Sequence, residues 1–93
     1  MNEANDIMIT ISLYFEVRDS EAYGGKGSIG YVSTNVDFKA SALAKVDFTK
    51  FTEAQKQGVA KMLKVDEEKV LIISRGYYEN ETEDEDEEEI WSL

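Results

Sequence analysis

The 93-residue chain contains no cysteine and no histidine. Without cysteine there is no disulfide framework and no thiolate chemistry. Without either residue a zinc site would have to rest on carboxylates alone, a donor set that structural and catalytic zinc rarely uses. Apolar runs are short, and none approaches the roughly 18 residues that a membrane span requires. The opening residues, MNEANDIMITISLYF, lack the basic n-region and small-residue cleavage site of a secretory signal. These absences point to a cytoplasmic protein with no membrane partner.

Basic residues are scarce, and their distribution matters more than their number. The chain carries 20 acidic and 10 basic residues, a net charge of −10. Residues 1–78 hold 11 of the acids and all 10 bases, so that part is nearly neutral. Residues 79–93, ENETEDEDEEEIWSL, hold the other nine acids and no base. Like charges at this density repel, and compaction would add a desolvation cost. The sequence therefore divides into a small domain, 1–78, and an acidic tail, 79–93, expected to be extended from Glu79 to Glu89. Fewer than eighty residues bury only about 60% of their unfolded surface, so a homodimer is a reasonable expectation.

In the domain, residues 7–18 alternate. Ile7, Ile9, Ile11, Leu13, Phe15 and Val17 share one parity, and mostly polar residues share the other. That period of two predicts a strand with one apolar face. Asp19–Gly30 is glycine-rich and predicts a flexible hairpin connection. Gly25, Gly27 and Gly30 match G-x-G-x-x-G, and the run to Val32 matches a kinase-type glycine loop. Neither match has its required context: a following helix for a dinucleotide, or a lysine strand and catalytic aspartates for a kinase. Residues 31–48 alternate again and predict two strands, 31–38 and 42–48. A competing reading makes 39–45 a short helix, because Ala, Leu and Lys favour one.

Residues 52–64 predict a helix, with Thr52 as N-cap and Gln55 completing a capping box. Its expected apolar face is Phe51, Ala54, Val59, Met62 and Leu63. Lys50, Lys56, Lys61 and Lys64 make it basic, either as an ordinary solvated face or as a receiver for the acid tail. Residues 69–78 predict the last strand, with Val70–Ile73 buried on both faces and Tyr77 and Tyr78 at the domain rim. The fold class is then α+β: one helix packed on a mostly antiparallel four-stranded sheet, with an acidic C-terminal tail.

No residue pattern supports catalysis. Carboxylate catalysis requires two acids in a shaped pocket with separated pKa values, and the body acids form no such motif. The calcium-loop pattern D-x-[DN]-x-[DN]-G is absent. The sequence therefore assigns no catalytic, cofactor-binding or metal-ligating residue and no cofactor. The candidate partner-binding residues are the acids Glu79, Glu81, Glu83, Asp84, Glu85 and Asp86, with Glu87, Glu88 and Glu89. The apolar tip Ile90, Trp91 and Leu93 completes the set. A row of carboxylates approximates a phosphate backbone, which carries about one charge per 1.7 Å in duplex DNA. It would attract a basic DNA- or RNA-binding protein, while the tip could anchor the complex. Direct nucleic-acid binding is not expected of so acidic a chain.

This small, cysteine-free, acidic α+β chain with EDEDEEE at 83–89 resembles the phage-encoded proteins that mimic DNA and inhibit host nucleoid, restriction, repair or CRISPR proteins. The resemblance covers size, composition and the tail. It implies a non-enzymatic inhibitor working in the host cytoplasm, with the acids as a class engaging the partner. Those mimics place acids on folded surfaces, whereas this body is close to neutral. The ending is also similar in grammar to bacterial single-stranded-DNA-binding proteins, whose acidic run and aromatic tip recruit partner enzymes and fold back on the body. A third reading keeps the tail as a solubilising segment of an ordinary interaction domain.

Overall fold

The computed structural model describes residues 7–83. The chain forms β1 (Met8–Arg18), β2 (Ile29–Lys39), α1 (Ala40–Leu43), α2 (Phe48–Leu63), β3 (Val70–Ile73) and α3 (Arg75–Thr82). The sheet has three strands in the order β2-β1-β3, all antiparallel. The architecture is α+β as expected, but the fourth strand does not form.

β1 and β2 pair along their whole length, from Met8 opposite Lys39 to Arg18 opposite Ile29. This register places Ile9, Ile11, Leu13, Phe15 and Val17 on one face with Phe38, Val36, Thr34, Val32 and Gly30. The period-two pattern of both strands is thus realised on a common face. α2 lies over that face, where Phe15, Val17, Val59, Ala60 and Val70 form the buried core. Burying the phenylalanine and valine side chains contributes about 1.5–3 kcal/mol each. Ala54 and Met62 were expected on the same helix face, but both are exposed. The aromatic trio Phe38, Phe51 and Phe48 extends the apolar layer along the sheet, with Phe38–Phe51 centroids 5.3 Å apart.

The connection Asp19–Ser28 is held by backbone and side-chain bonds. The Asp19 N–H donates to the Ser28 carbonyl, and the Gly27 N–H donates to Asp19 Oδ1 at 2.7 Å. Gly25 and Gly27 both have positive φ, a conformation that favours glycine. At Gly30 a Cβ would run into the ring of Tyr23. The three glycines of the G-x-G-x-x-G match therefore serve a turn and a close ring contact, and the loop leads into a strand. Ser20 is fully buried and its hydroxyl donates to the Leu63 carbonyl at 3.0 Å, tying this loop to the end of α2.

Several expectations are corrected downstream. Residues 42–48 are not a strand: β2 runs unbroken to Lys39 and the chain then turns through α1, as helix-favouring Ala40–Leu43 would suggest. α2 starts at Phe48 rather than at Thr52. Its cap is Asp47, whose carboxylate accepts from the Thr49 and Lys50 N–H groups at 3.1 and 3.2 Å. The last strand stops at Ile73, and because no strand among the described residues lies outside it, Leu71 and Ile72 are exposed rather than buried. Ser74 then caps α3, accepting from the Tyr77 N–H at 3.1 Å. Glu79–Thr82 are accordingly helical, not extended. α3 packs on β1 from the side opposite α2, so the sheet is covered on both faces instead of one.

Candidate functional site

The second face of the sheet carries the even-numbered residues of β1. Tyr14 lies opposite Ser33 and Ile73, and Glu16 opposite Tyr31 and Leu71. Arg18 lies opposite Ile29. α3 adds Tyr77 and Tyr78 over this surface. The Tyr14 and Tyr78 rings are 4.9 Å apart, and Tyr31 meets Tyr77 and Tyr78 edge-on at 6.4 and 6.5 Å. Four of the five tyrosines in the chain thus form one cluster. Edge-on and tilted pairs at these separations add roughly 0.5–1.5 kcal/mol each beyond their buried area.

Glu16 sits beneath this cluster, 4% exposed, and is the one buried carboxylate among the described residues. Its two oxygens have separate partners. Arg18 Nε donates to Oε2 at 2.6 Å, and the Tyr77 hydroxyl donates to Oε1 at 3.4 Å. The carboxylate raises the Arg18 pKa, first through that hydrogen bond and then through its charge. Tyr31 is pushed up to about 12, chiefly by burial and then by its contact with the Tyr77 hydroxyl. Arg75 at the start of α3 pairs with Glu79 at 2.9 Å, one turn on. Arg18 and Arg75 are the chain's two arginines, and both belong to this face. At its margin Ile29, Leu71 and Tyr77 are exposed at 49%, 43% and 43%.

A surface that combines tyrosine, arginine and exposed aliphatic groups has the composition of protein–protein interfaces and of the residues that dominate their energetics. Its acids and its bases are arranged differently. Glu79, Glu81 and Glu83 are exposed on α3 or at its end. Lys50 and Lys61 are exposed on α2 and fall within roughly 20° of one another around that helix, and Lys64 is exposed at its C-cap. They lie across the sheet from α3. Among the described residues the one lysine in an ion pair is Lys69, 2.8 Å from Asp19. Its hydrogen bond holds Asp19 below the usual carboxylate range, helped by the Gly27 N–H.

Of the partner-binding residues expected from sequence, Glu79, Glu81 and Glu83 therefore belong to α3 and its C-cap. Asp84, Glu85, Asp86, Glu87, Glu88, Glu89, Ile90, Trp91 and Leu93 lie outside the described residues. Sequence reasoning missed Tyr14, Glu16 and Arg18, which alternation placed on the mostly polar side of 7–18, and it missed Tyr31. The available signal was composition: both arginines and four tyrosines fall in strand-like or strand-adjacent segments.

No group of three acids among the described residues is arranged to hold a metal ion. No described helix is long and apolar enough to cross a membrane. No protein-family model matches the chain, and comparisons with curated proteins and with solved structures found no match.

Proposed function

We propose that the chain is a non-enzymatic protein-binding protein that presents a DNA-like polyanion to a basic nucleic-acid-binding partner, in the manner of an inhibitor. The observation that carries this reading is one of position. The acidic run continues directly from α3, and α3 is the element that covers the tyrosine–arginine face. The exposed carboxylates of Glu79, Glu81 and Glu83 therefore share α3 and its C-cap with Tyr77 and Tyr78.

The two parts have different physical roles. The acids act at long range and accelerate encounter with a basic groove, an effect that salt screens over about 8–10 Å. The exposed Tyr77 and Leu71, with the Arg18 guanidinium beside them, supply contact area that determines how long the complex lasts. The exposed lysines of α2 lie across the sheet from α3 and so away from Glu79, Glu81 and Glu83.

The test is capture of basic proteins from a lysate at low and high salt by three full-fold forms: the intact chain, a truncation after Glu83 that keeps α3 whole, and Tyr77→Ala. The intact chain should retain a nucleic-acid-binding protein in a salt-dependent way, and nuclease treatment should not release it. The truncation should lose it, and Tyr77→Ala should hold it with a shorter lifetime. Retention that is unchanged by the truncation would refute the proposal.

A further inference from the structure

The two edges of β1 are not equivalent. The Ala40 N–H donates to the Ile7 carbonyl at 2.8 Å, and the Asp19 N–H donates to the Ser28 carbonyl at 3.0 Å. Both pairs continue the β1–β2 register. Odd-numbered residues of β1 therefore exchange hydrogen bonds with β2, and even-numbered residues turn their N–H and C=O groups to the other edge. β3 occupies that edge only from Tyr14 to Val17. Among the described residues, no strand pairs with it from Met8 to Leu13, where Met8, Thr10 and Ser12 direct their backbone groups outward.

Among the described residues, the open stretch has none of the features that keep edges apart. Residues 7–13, IMITISL, contain no charge, no glycine and no proline. Ile7 and Met8 are 55% and 54% exposed. An uncharged, β-branched edge of this kind is a template for another strand.

We infer that a second copy of this chain fills the position, β1 against β1 about a two-fold axis at Thr10. This register pairs Met8 with Ser12, Thr10 with Thr10 and Ile9 with Ile11 of the two copies. It keeps the parity of every residue, so the apolar face of one sheet continues into that of the other. The outward-directed residues Met8, Thr10 and Ser12 become three hydrogen-bonded pairs, each exchanging two bonds. The incoming strand ends at Leu13, where β3 begins at Tyr14, so the two strands follow one another without overlap. Two copies thus share a continuous sheet, through an isologous contact that closes on itself.

The chain's own remaining residues fit this position less well. Residues 84–89 are all acidic, leaving only the four residues 90–93 uncharged against the six-residue edge Met8–Leu13. Residues 1–6 include Glu3 and Asp6. Segment 7–13 of a second copy is uncharged at every position.

The experiment measures the mass of the full-length chain by light scattering and sedimentation over a range of concentrations. The expected result is about twice the 10.5 kDa chain mass. The register is then tested by charge. Met8→Lys with Ser12→Lys sets lysine against lysine at both Met8–Ser12 pairs and should give a folded monomer. Met8→Lys with Ser12→Glu sets lysine against glutamate and should restore the dimer. Thr10→Pro, which removes a donor facing away from β2, should also give a monomer. A monomer at all concentrations overturns the inference, as does a dimer that both charge variants leave unchanged. A monomer that dimerises only after truncation at Glu83 identifies the chain's own tail as the occupant and overturns it as well.

Discussion

The two faces of the sheet are held by different chemistry. The face under α2 is mainly apolar: Phe15, Val17 and Val70 meet Val59 and Ala60 with no charged group among them, and Thr34 Oγ1 is buried there without a partner among the described residues. The face under α3 is built from four tyrosine rings, a buried carboxylate and an arginine. The first is non-directional and scales with area removed from water. The second depends on ring geometry and on pairing of every buried polar atom. The comparison teaches that the α2 face supplies the stability of the domain. The α3 face is half-open and chemically mixed, and it is the side on which the proposed partner would dock.

The largest effect should come from the apolar face. Phe15→Ala removes a side chain with no exposure and should cost about 3–5 kcal/mol, enough to unfold much of so small a domain. Urea unfolding followed by circular dichroism reads this directly. An equal loss from the tyrosine face would break the comparison.

Glu16→Ala is the matching change across the sheet. It removes the acceptor for Arg18 and Tyr77, but the Arg18 side chain is 52% exposed and can turn to water. The cost should be about 1–2 kcal/mol, discounted for that exposure. Hydrogen exchange should accelerate first in α3 and only later in α2.

Gly76 sharpens the contrast in the other direction. A Cβ there would meet nothing within 4 Å, and the same holds at Gly58 in α2. Gly76→Ala and Gly58→Ala should each stabilise their helix by about 0.5–1 kcal/mol. Only the Gly76 change should slow exchange at Tyr77–Thr82 selectively.

At neutral pH the smallest effect is that of Tyr31, because it shows only when the pH is raised. Tyr31 has its folded-state pKa raised from 10.0 to about 12. A raised pKa means that its contribution is complete below the unfolded value and is lost as pH rises through the folded one. Stability should therefore decline between pH 10 and about 12, and Tyr31→Phe should lessen that decline. Ultraviolet titration should show a late phenolate step that Tyr31→Phe removes.

Alternation in 7–18 and 32–38 made the two long strands and their apolar face legible, because a half-buried strand repeats every second residue. The helix after Asp47 was legible for the same reason at period 3.6, although its cap was misplaced: Thr52 satisfied the capping pattern while Asp47 made the bonds. The segment after Val70 was misread because a short apolar run followed by two tyrosines suits a strand by propensity. Ser74 instead caps a helix whose tyrosines gain more by covering Tyr14 and Tyr31 than by extending the sheet. The candidate site was legible only in Glu79, Glu81 and Glu83.

By itself the sequence determined the charge division, the two alternating strands, the glycine connection and the amphipathic helix, all properties of residues near one another in the chain. Tertiary structure alone decided that β1 is central, that its polar side receives a second helix, and that Glu16 is buried beside Arg18 and Tyr77. The physical reason is separation: Glu16 and Tyr77 are 61 residues apart. Whether a polar strand face meets water or another element depends on where the chain returns, and no local pattern carries that information.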